Sequence, residues 1–212
     1  MPIMDDAQIM DLRVGTVQTV KGLRSAIFKT SVPGPLWAGI EGLAGDEVAD
    51  RKNHGGPDQA LLACAASNYA HWTEEGHPFD PGAFGENLLL SAFPETEACI
   101  GDVLEGSEVR LQIAHPRVPC GTLAKRLETA GILQRVWETS RGGFYLRVLK
   151  EGWIRPGESL CRTAHPHPEW NVLRALHAQW KVAEHPEEAL ALAALPELSA
   201  HWRERLPRQA LR

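Results

Sequence analysis

Two stretches of two-residue alternation constrain this chain more than any other feature. At 109–115, Val109, Leu111 and Ile113 alternate with Arg110 and Gln112; at 144–149, Phe144, Leu146 and Val148 alternate with Tyr145 and Arg147. Successive side chains of a strand point to opposite faces, so each stretch reads as a strand with one face in a core and one toward water. Gly142 and Gly143 supply the turn before the second stretch. Further short strands are expected at 13–20, 26–32, 60–64, 86–90, 102–105 and 158–162, each bounded by a Gly or Pro signal. Many short strands joined by irregular loops predict a barrel, in a mainly β, α+β chain.

Helical periodicity interrupts this pattern at 67–75, with Ser67 as the expected cap, and at 122–139, with Thr122 as the cap and Leu123, Leu127 and Ala130 as the stripe. Gly131 is expected to bend or split the second segment, because an interior glycine costs about 1 kcal/mol relative to alanine. His165, Pro166, His167 and Pro168 can continue neither a helix nor a sheet ladder easily and mark a boundary. Beyond it, Leu173, Leu176 and Trp180, and then Leu198, Trp202 and Leu206, have helical spacing, with Pro186 and Pro196 expected near helix starts. The expected division is a barrel domain over 1–163 and a three-helix extension over 169–212.

The 22 basic and 27 acidic side chains give a formal charge of -5, so no general footprint for nucleic-acid phosphates exists. No cationic flank precedes an apolar run near residue 1, and no run of about 18 apolar residues occurs, so a cytoplasmic chain without a membrane span is expected. Cys64, Cys99, Cys120 and Cys161 form no C-x-x-C pair and are expected to be free thiols. Nucleotide-loop, nucleophile-elbow and zinc-protease motifs are missing, as are signals for flavin, haem or iron–sulfur clusters.

The segment AHPRVPCGTLAKRL, 114–127, runs from the end of a strand through two prolines to Cys120, just before a helix. A thiol there sits near unpaired backbone N–H groups at a positive helix end, which favours thiolate, and Arg117, Lys125 and Arg126 add to this if they face the sulfur. The alternative is a small buried hydrophobe. For Cys64, Cys99 and Cys161 the buried reading stands. GDEVADRKNHGGPDQALL, 45–62, gathers Asp46, Asp50, Arg51, Lys52, His54 and Asp58 around Gly55 and Gly56; it is either a polar turn or a loop whose amides approach a ligand. FGENL, 84–88, is a tight turn in which Asn87 bonds either a ligand or its own turn. Lys29 and Arg147, on strand candidates, read locally as outward charges.

In order along the chain, Lys29, GDEVADRKNHGGPDQA, the Tyr69 to Trp72 helix, FGENL, IGDVL, PRVPC and RGGFYLRVLKEGWIRPGE resemble the MOSC domain family, in its YiiM-like branch, over about residues 12–162. The tail is similar to the three-helix extension of that branch. The resemblance implies a β-barrel related to the pyruvate-kinase barrel domain and a molybdenum cofactor, with molybdopterin, ligated through Cys120. It makes Lys29, Arg51, His54, Asp58, Asn87, Arg117 and Arg147 candidates for lining the cofactor and substrate pocket. The implied activity is reduction of N-hydroxylated bases and related N-oxygenated compounds, with electrons from a separate flavoprotein reductase. Either His54 or His115 could donate protons. No pyridoxal-phosphate half accompanies the domain. Gly121 and Thr122 depart from relatives that carry a bulkier residue and a lysine there. A carrier of molybdopterin or sulfur without turnover is the alternative, and a cysteine hydrolase is a third reading.

Overall fold

The computed structural model describes residues 5–52 and 54–211. Its first half contains β1 (Asp6–Val14), β2 (Gln18–Val20), β3 (Leu23–Ser25), β4 (Thr30–Ser31), β5 (Leu36–Gly39), β6 (Gly42–Leu43), β7 (Leu61–Ala65) and helix α1 (Ser67–Glu74). Then follow β8 (Leu88–Leu90), β9 (Val103–Glu105), β10 (Arg110–Pro116), α2 (Gly121–Leu127), α3 (Ile132–Thr139), β11 (Phe144–Lys150), β12 (Gly152–Ile154) and β13 (Ser159–Ala164). Helices α4 (Val172–Trp180), α5 (Pro186–Ala193) and α6 (Ala200–Ala210) complete the order.

Seven strands pair in the order β13-β9-β10-β11-β7-β8-β1, and β1 pairs back onto β13, which closes a barrel. Closure leaves these strands without an open edge to template aggregation. Their neighbours are antiparallel except β7 and β8, which run parallel because the connection through α1 carries the chain back to the same end. Short β4 extends β1, and small sheets β12-β5-β6 and β2-β3 lie apart.

Alternation decides the packing. Ile9, Leu61, Ala63, Leu111, Ile113, Phe144 and Leu146 are fully buried in one cluster inside the barrel, and Val172, Leu176, Leu192, Leu198, Trp202 and Leu206 of α4–α6 and the approach to α6 join the same cluster. Isolated helices this short are marginal in water, so this shared core holds them. A second cluster, containing Cys64, Tyr69, Trp72, Phe84, Leu89, Leu123, Ile132 and Val136, lies on the opposite face of β7 and β8 under α1, α2 and α3. The outer face of these strands thus meets protein, whereas the period alone assigns it to water.

The two alternating stretches appear as β10 and β11, in register through Ile113 and Leu146. The strand expected at 13–20 starts instead at Asp6 and ends at Val14, with β2 separate. A register shift between Ile9 and Asp11 moves Leu12 onto the buried face and hides the two-residue period. The strand expected at 26–32 shrinks to Thr30–Ser31. β5, β6 and β12 were not foreseen. Segment 122–139 splits at Glu128 and Gly131, both in the left-handed region, φ 48° and 75°. Two expected caps are displaced: Ala66 precedes α1, and Cys120 rather than Thr122 occupies the cap position of α2. Pro186 opens α5, but α6 begins at Ala200, beyond Pro196.

Candidate functional site

Strand β10 delivers the chain to Pro116, and Pro119 stiffens the approach to Cys120. Cys120 is extended, φ -139° and ψ 166°, and half-buried at the N-terminus of α2. Its sulfur lines a cleft of about 150 Å³, open to solvent, together with His54, Arg117, Lys29, Asp46 and Tyr145. The enclosed part can hold a small group, and any larger ligand must extend through the mouth.

Burial pushes the Cys120 thiol up, but a hydrogen bond from His54, the charge of Arg117 and the Leu123 backbone N–H outweigh it, leaving it at about 6, below the ordinary 9.0. The sulfur is therefore largely thiolate at neutral pH, the form that binds soft metals. Arg117 is 5% exposed, and its Nη1 has no hydrogen-bond partner among the described residues. A buried guanidinium nitrogen left without a partner costs free energy that an anionic ligand in the cleft would recover. The cleft thus offers a soft anionic sulfur of the kind that ligates metals and one unpartnered guanidinium nitrogen of the kind that meets an anionic group.

Lys29 is held against Asp46, whose carboxylate also accepts from the Gly15 N–H at 2.8 Å and from Asn87 Nδ2 at 2.9 Å. Burial lowers the lysine's pKa, opposed by the charge and hydrogen bond of Asp46 and by the charge of Glu86. Local sequence misreads Lys29 as solvated; its side chain is 9% exposed. Asn87 is 3% exposed and braces the site, its Oδ1 accepting from Leu62 N–H at 3.0 Å and its Nδ2 also donating to the Arg13 carbonyl at 3.1 Å. The FGENL turn needs glycine at position 85, where φ is +76° and a Cβ would lie 2.6 Å from Ile27 Cγ1.

The remaining candidates lie elsewhere. Arg147 donates to Asp58 Oδ1 at 2.9 Å and to Gln112 Oε1 at 3.0 Å, and Asp58 Oδ2 accepts from the first N–H of α6 at 2.8 Å. That pair ties the barrel to the C-terminal helices and is not part of the cleft wall. Arg51 is exposed on the turn before His54 and is also absent from the wall. His115 is buried between Tyr145 and Trp202, with Nδ1 2.8 Å from the Pro116 carbonyl; burial pushes it down to about 4. Of the two histidines considered for proton transfer, only His54 borders the cleft.

Sequence reasoning gathered Asp46 in its loop without a role in the pocket, and passed over Tyr145 and Glu86 as site residues. Tyr145 sits on the face of β11 opposite Phe144, and Arg117 interacts with its hydroxyl. Glu86 is fully buried, its Oε1 2.5 Å from both the Tyr69 hydroxyl and the Gly82 N–H. An acid inside the apolar run from Phe84 to Leu90 was the available signal.

The MOSC domain family matches residues 50–160. Protein YiiM of Escherichia coli (strain K12) is 30% identical over 210 residues, covering 95% of this chain and 92% of that protein. A Gibberella moniliformis protein named Reductase is 34% identical over 175 residues, covering 78% of this chain but 31% of its own length. The crystal structure of YiiM from Geobacillus stearothermophilus superposes with a TM-score of 0.81 at 29% identity, over 96% of this chain and 99% of that one. With a closed seven-stranded barrel, three C-terminal helices and this match, the chain belongs to the MOSC domain family, in its YiiM-like branch.

Proposed function

We propose that this chain is a molybdenum-cofactor oxidoreductase that reduces N-hydroxylated bases and related N-oxygenated compounds, with electrons from an external flavoprotein reductase. The observation that supports it most is the pairing in one cleft of an ionised Cys120 with the buried, unpartnered nitrogen of Arg117. Membership of the MOSC family and the reductase name carried by one relative favour an enzyme.

Cys120 would hold the metal through Sγ, and Arg117 would hold an anionic part of the pterin or substrate. When bound, the cofactor supplies the two-electron chemistry. Removing the hydroxyl from an N–OH group consumes two electrons and two protons and yields N–H and water. His54 borders the same cleft and would deliver a proton to the departing oxygen. Lys29, paired with Asp46, would offer a remaining N–H donor to an oxygen of the substrate.

Protein from a cofactor-competent host should carry molybdenum close to stoichiometrically and consume hydroxylaminopurine when a flavoprotein reductase is added; Cys120→Ala should lose both. Cofactor transfer to an apo-enzyme with no such turnover would favour a carrier. Wild-type protein without molybdenum under these conditions would refute the proposal.

A further inference from the structure

A second cluster of ligand-type side chains lies away from the cleft, where the segment after β13 meets the turn before β9. Cys99, Ile100, Gly101 and Asp102 form that turn. It is closed in both directions: the Asp102 N–H donates to the Cys99 carbonyl at 3.1 Å, and the Cys99 N–H donates to Asp102 Oδ2 at 3.0 Å. Gly101 has φ +87°, and a Cβ there would meet Pro166 Cγ at 2.9 Å, so the bare backbone lets the linker lie directly on the turn. That contact places His165 Nδ1 2.7 Å from Asp102 Oδ1.

We propose that Cys99, Asp102 and His165 form a zinc-type transition-metal site that pins the His165–Pro168 linker to the barrel. Their donor atoms, one sulfur, one oxygen and one nitrogen, all lie within 4.8 Å of one another. Zinc takes such donors at about 2.0–2.3 Å, which sets tetrahedral ligand atoms roughly 3.3–3.7 Å apart. To admit the ion the imidazole and carboxylate, 2.7 Å apart, must part by somewhat over half an ångström, and any donor pair near the 4.8 Å limit must close by about 1 Å. The second carboxylate oxygen is already fixed by the Cys99 N–H and by Arg162 Nη1 at 3.2 Å. Arg162 also pairs with Asp5 and lies over the Phe93 ring at 5.1 Å, so it can stay in place and orient the ligand from behind.

Cys99 and Asp102 are buried, whereas the His165 side chain is 37% exposed, giving the ion a route in and leaving a fourth position for water. Metal binding releases the thiol proton to solvent and uses no oxidant or reductant. Cys99 Sγ lies 3.5 Å from the Glu97 carbonyl and 3.6 Å from the Pro168 carbonyl, so the sulfur already touches the linker. The same residue bridges to Asn171, which caps α4 by accepting from the Arg174 N–H at 2.8 Å. An ion here would fix the start of the helical extension as well as the linker.

The test uses the full-length chain in a Cys120→Ala background, so that the cleft thiol cannot contribute. Cobalt(II) is titrated as the probe and read by its thiolate-to-metal charge-transfer absorption, then displaced with zinc. A saturable band at one cobalt per chain is expected, with Cys99→Ser abolishing it. Cys99 is buried and its variant could fail to fold, so His165→Ala, altered at an exposed side chain, is titrated in parallel. It should weaken apparent zinc affinity at least about tenfold, in the range that loss of a ligand or its support produces. At equal zinc concentration, zinc should also raise the thermal midpoint of the Cys120→Ala chain more than that of the chain that also carries His165→Ala. No thiolate band, a band that survives Cys99→Ser, or equal zinc response in both proteins would overturn the site, leaving an ion-pair network around Asp102. None of these readouts depends on the cleft, so they separate from any failure of the proposed function.

Discussion

Cys64 and Cys120 flank the same outer apolar cluster, yet their surroundings drive their sulfurs in opposite directions. Cys64, on β7, is fully buried; desolvation raises its thiol, the charges of Glu86 and Glu95 add to the rise, and the Asn68 amide and distant Arg117 do not offset it. Cys120 is also partly desolvated, but His54, Arg117 and a helix N-terminal N–H turn the balance toward thiolate. The contrast teaches that position on the barrel's outer face decides little. What decides is whether the groups within hydrogen-bond reach carry positive or negative charge, and whether water can enter.

The region around Cys64 gives the largest expected effect. Glu95, 2% exposed, accepts from Asn68 Nδ2 at 2.9 Å and from the Gly143 N–H at 2.8 Å. Burial nevertheless raises it from 4.5 to about 7, with those hydrogen bonds opposing. An acid raised in the folded state contributes stability below its unfolded value and loses it as pH rises through the folded one. The stability of wild type relative to Glu95→Gln should therefore fall by about 3 kcal/mol between pH 4.5 and pH 7 and then level off. Chemical denaturation of both proteins across that range checks it, and a flat difference would remove the negative side of the contrast.

On the cleft side, His54→Ala should raise the Cys120 titration midpoint by about one unit or more, roughly 1.4 kcal/mol of lost thiolate stabilisation. Thiolate absorbance against pH reads this directly. Arg117→Met should move the same midpoint less, because the His54 hydrogen bond ranks above the Arg117 charge, but should also weaken cofactor retention. If Arg117→Met moved it further than His54→Ala, the guanidinium would be the principal stabiliser. Smallest of all, Cys64→Ala should lower stability by only about 1 kcal/mol and leave the Cys120 midpoint where it was; a shift there would show that the two thiols are coupled.

The same contrast explains what could be read from residues alone. β10 and β11 were legible because their register shifts, at Leu149 and Ala114, fall outside the alternating runs Val109 to Ile113 and Phe144 to Val148, whereas the irregularity of β1 falls in its middle, between Ile9 and Asp11. Cys120 was legible because Pro119 and a following helix place it, whatever the distant partners do. Lys29 was not: its burial depends on Asp46, seventeen positions away, and on Glu86 behind it. Asp58 and Arg147 resembled site residues in sequence order, but their pairing with each other and with α6 is set by tertiary packing that no local pattern encodes. Nor could the cap position of Cys120 be foreseen, since threonine at 122 is the better capping residue by propensity.

The sharpest check is residue-resolved alkylation of metal-free wild-type protein with iodoacetamide from pH 4.5 to 10, read by mass spectrometry. Cys120 should react with a midpoint near pH 6 while Cys64 stays unmodified until the chain is unfolded. A Cys120 midpoint near the ordinary 9.0, or labelling of both sulfurs at comparable rates in the native protein, would contradict an ionised thiol held ready in an electropositive cleft.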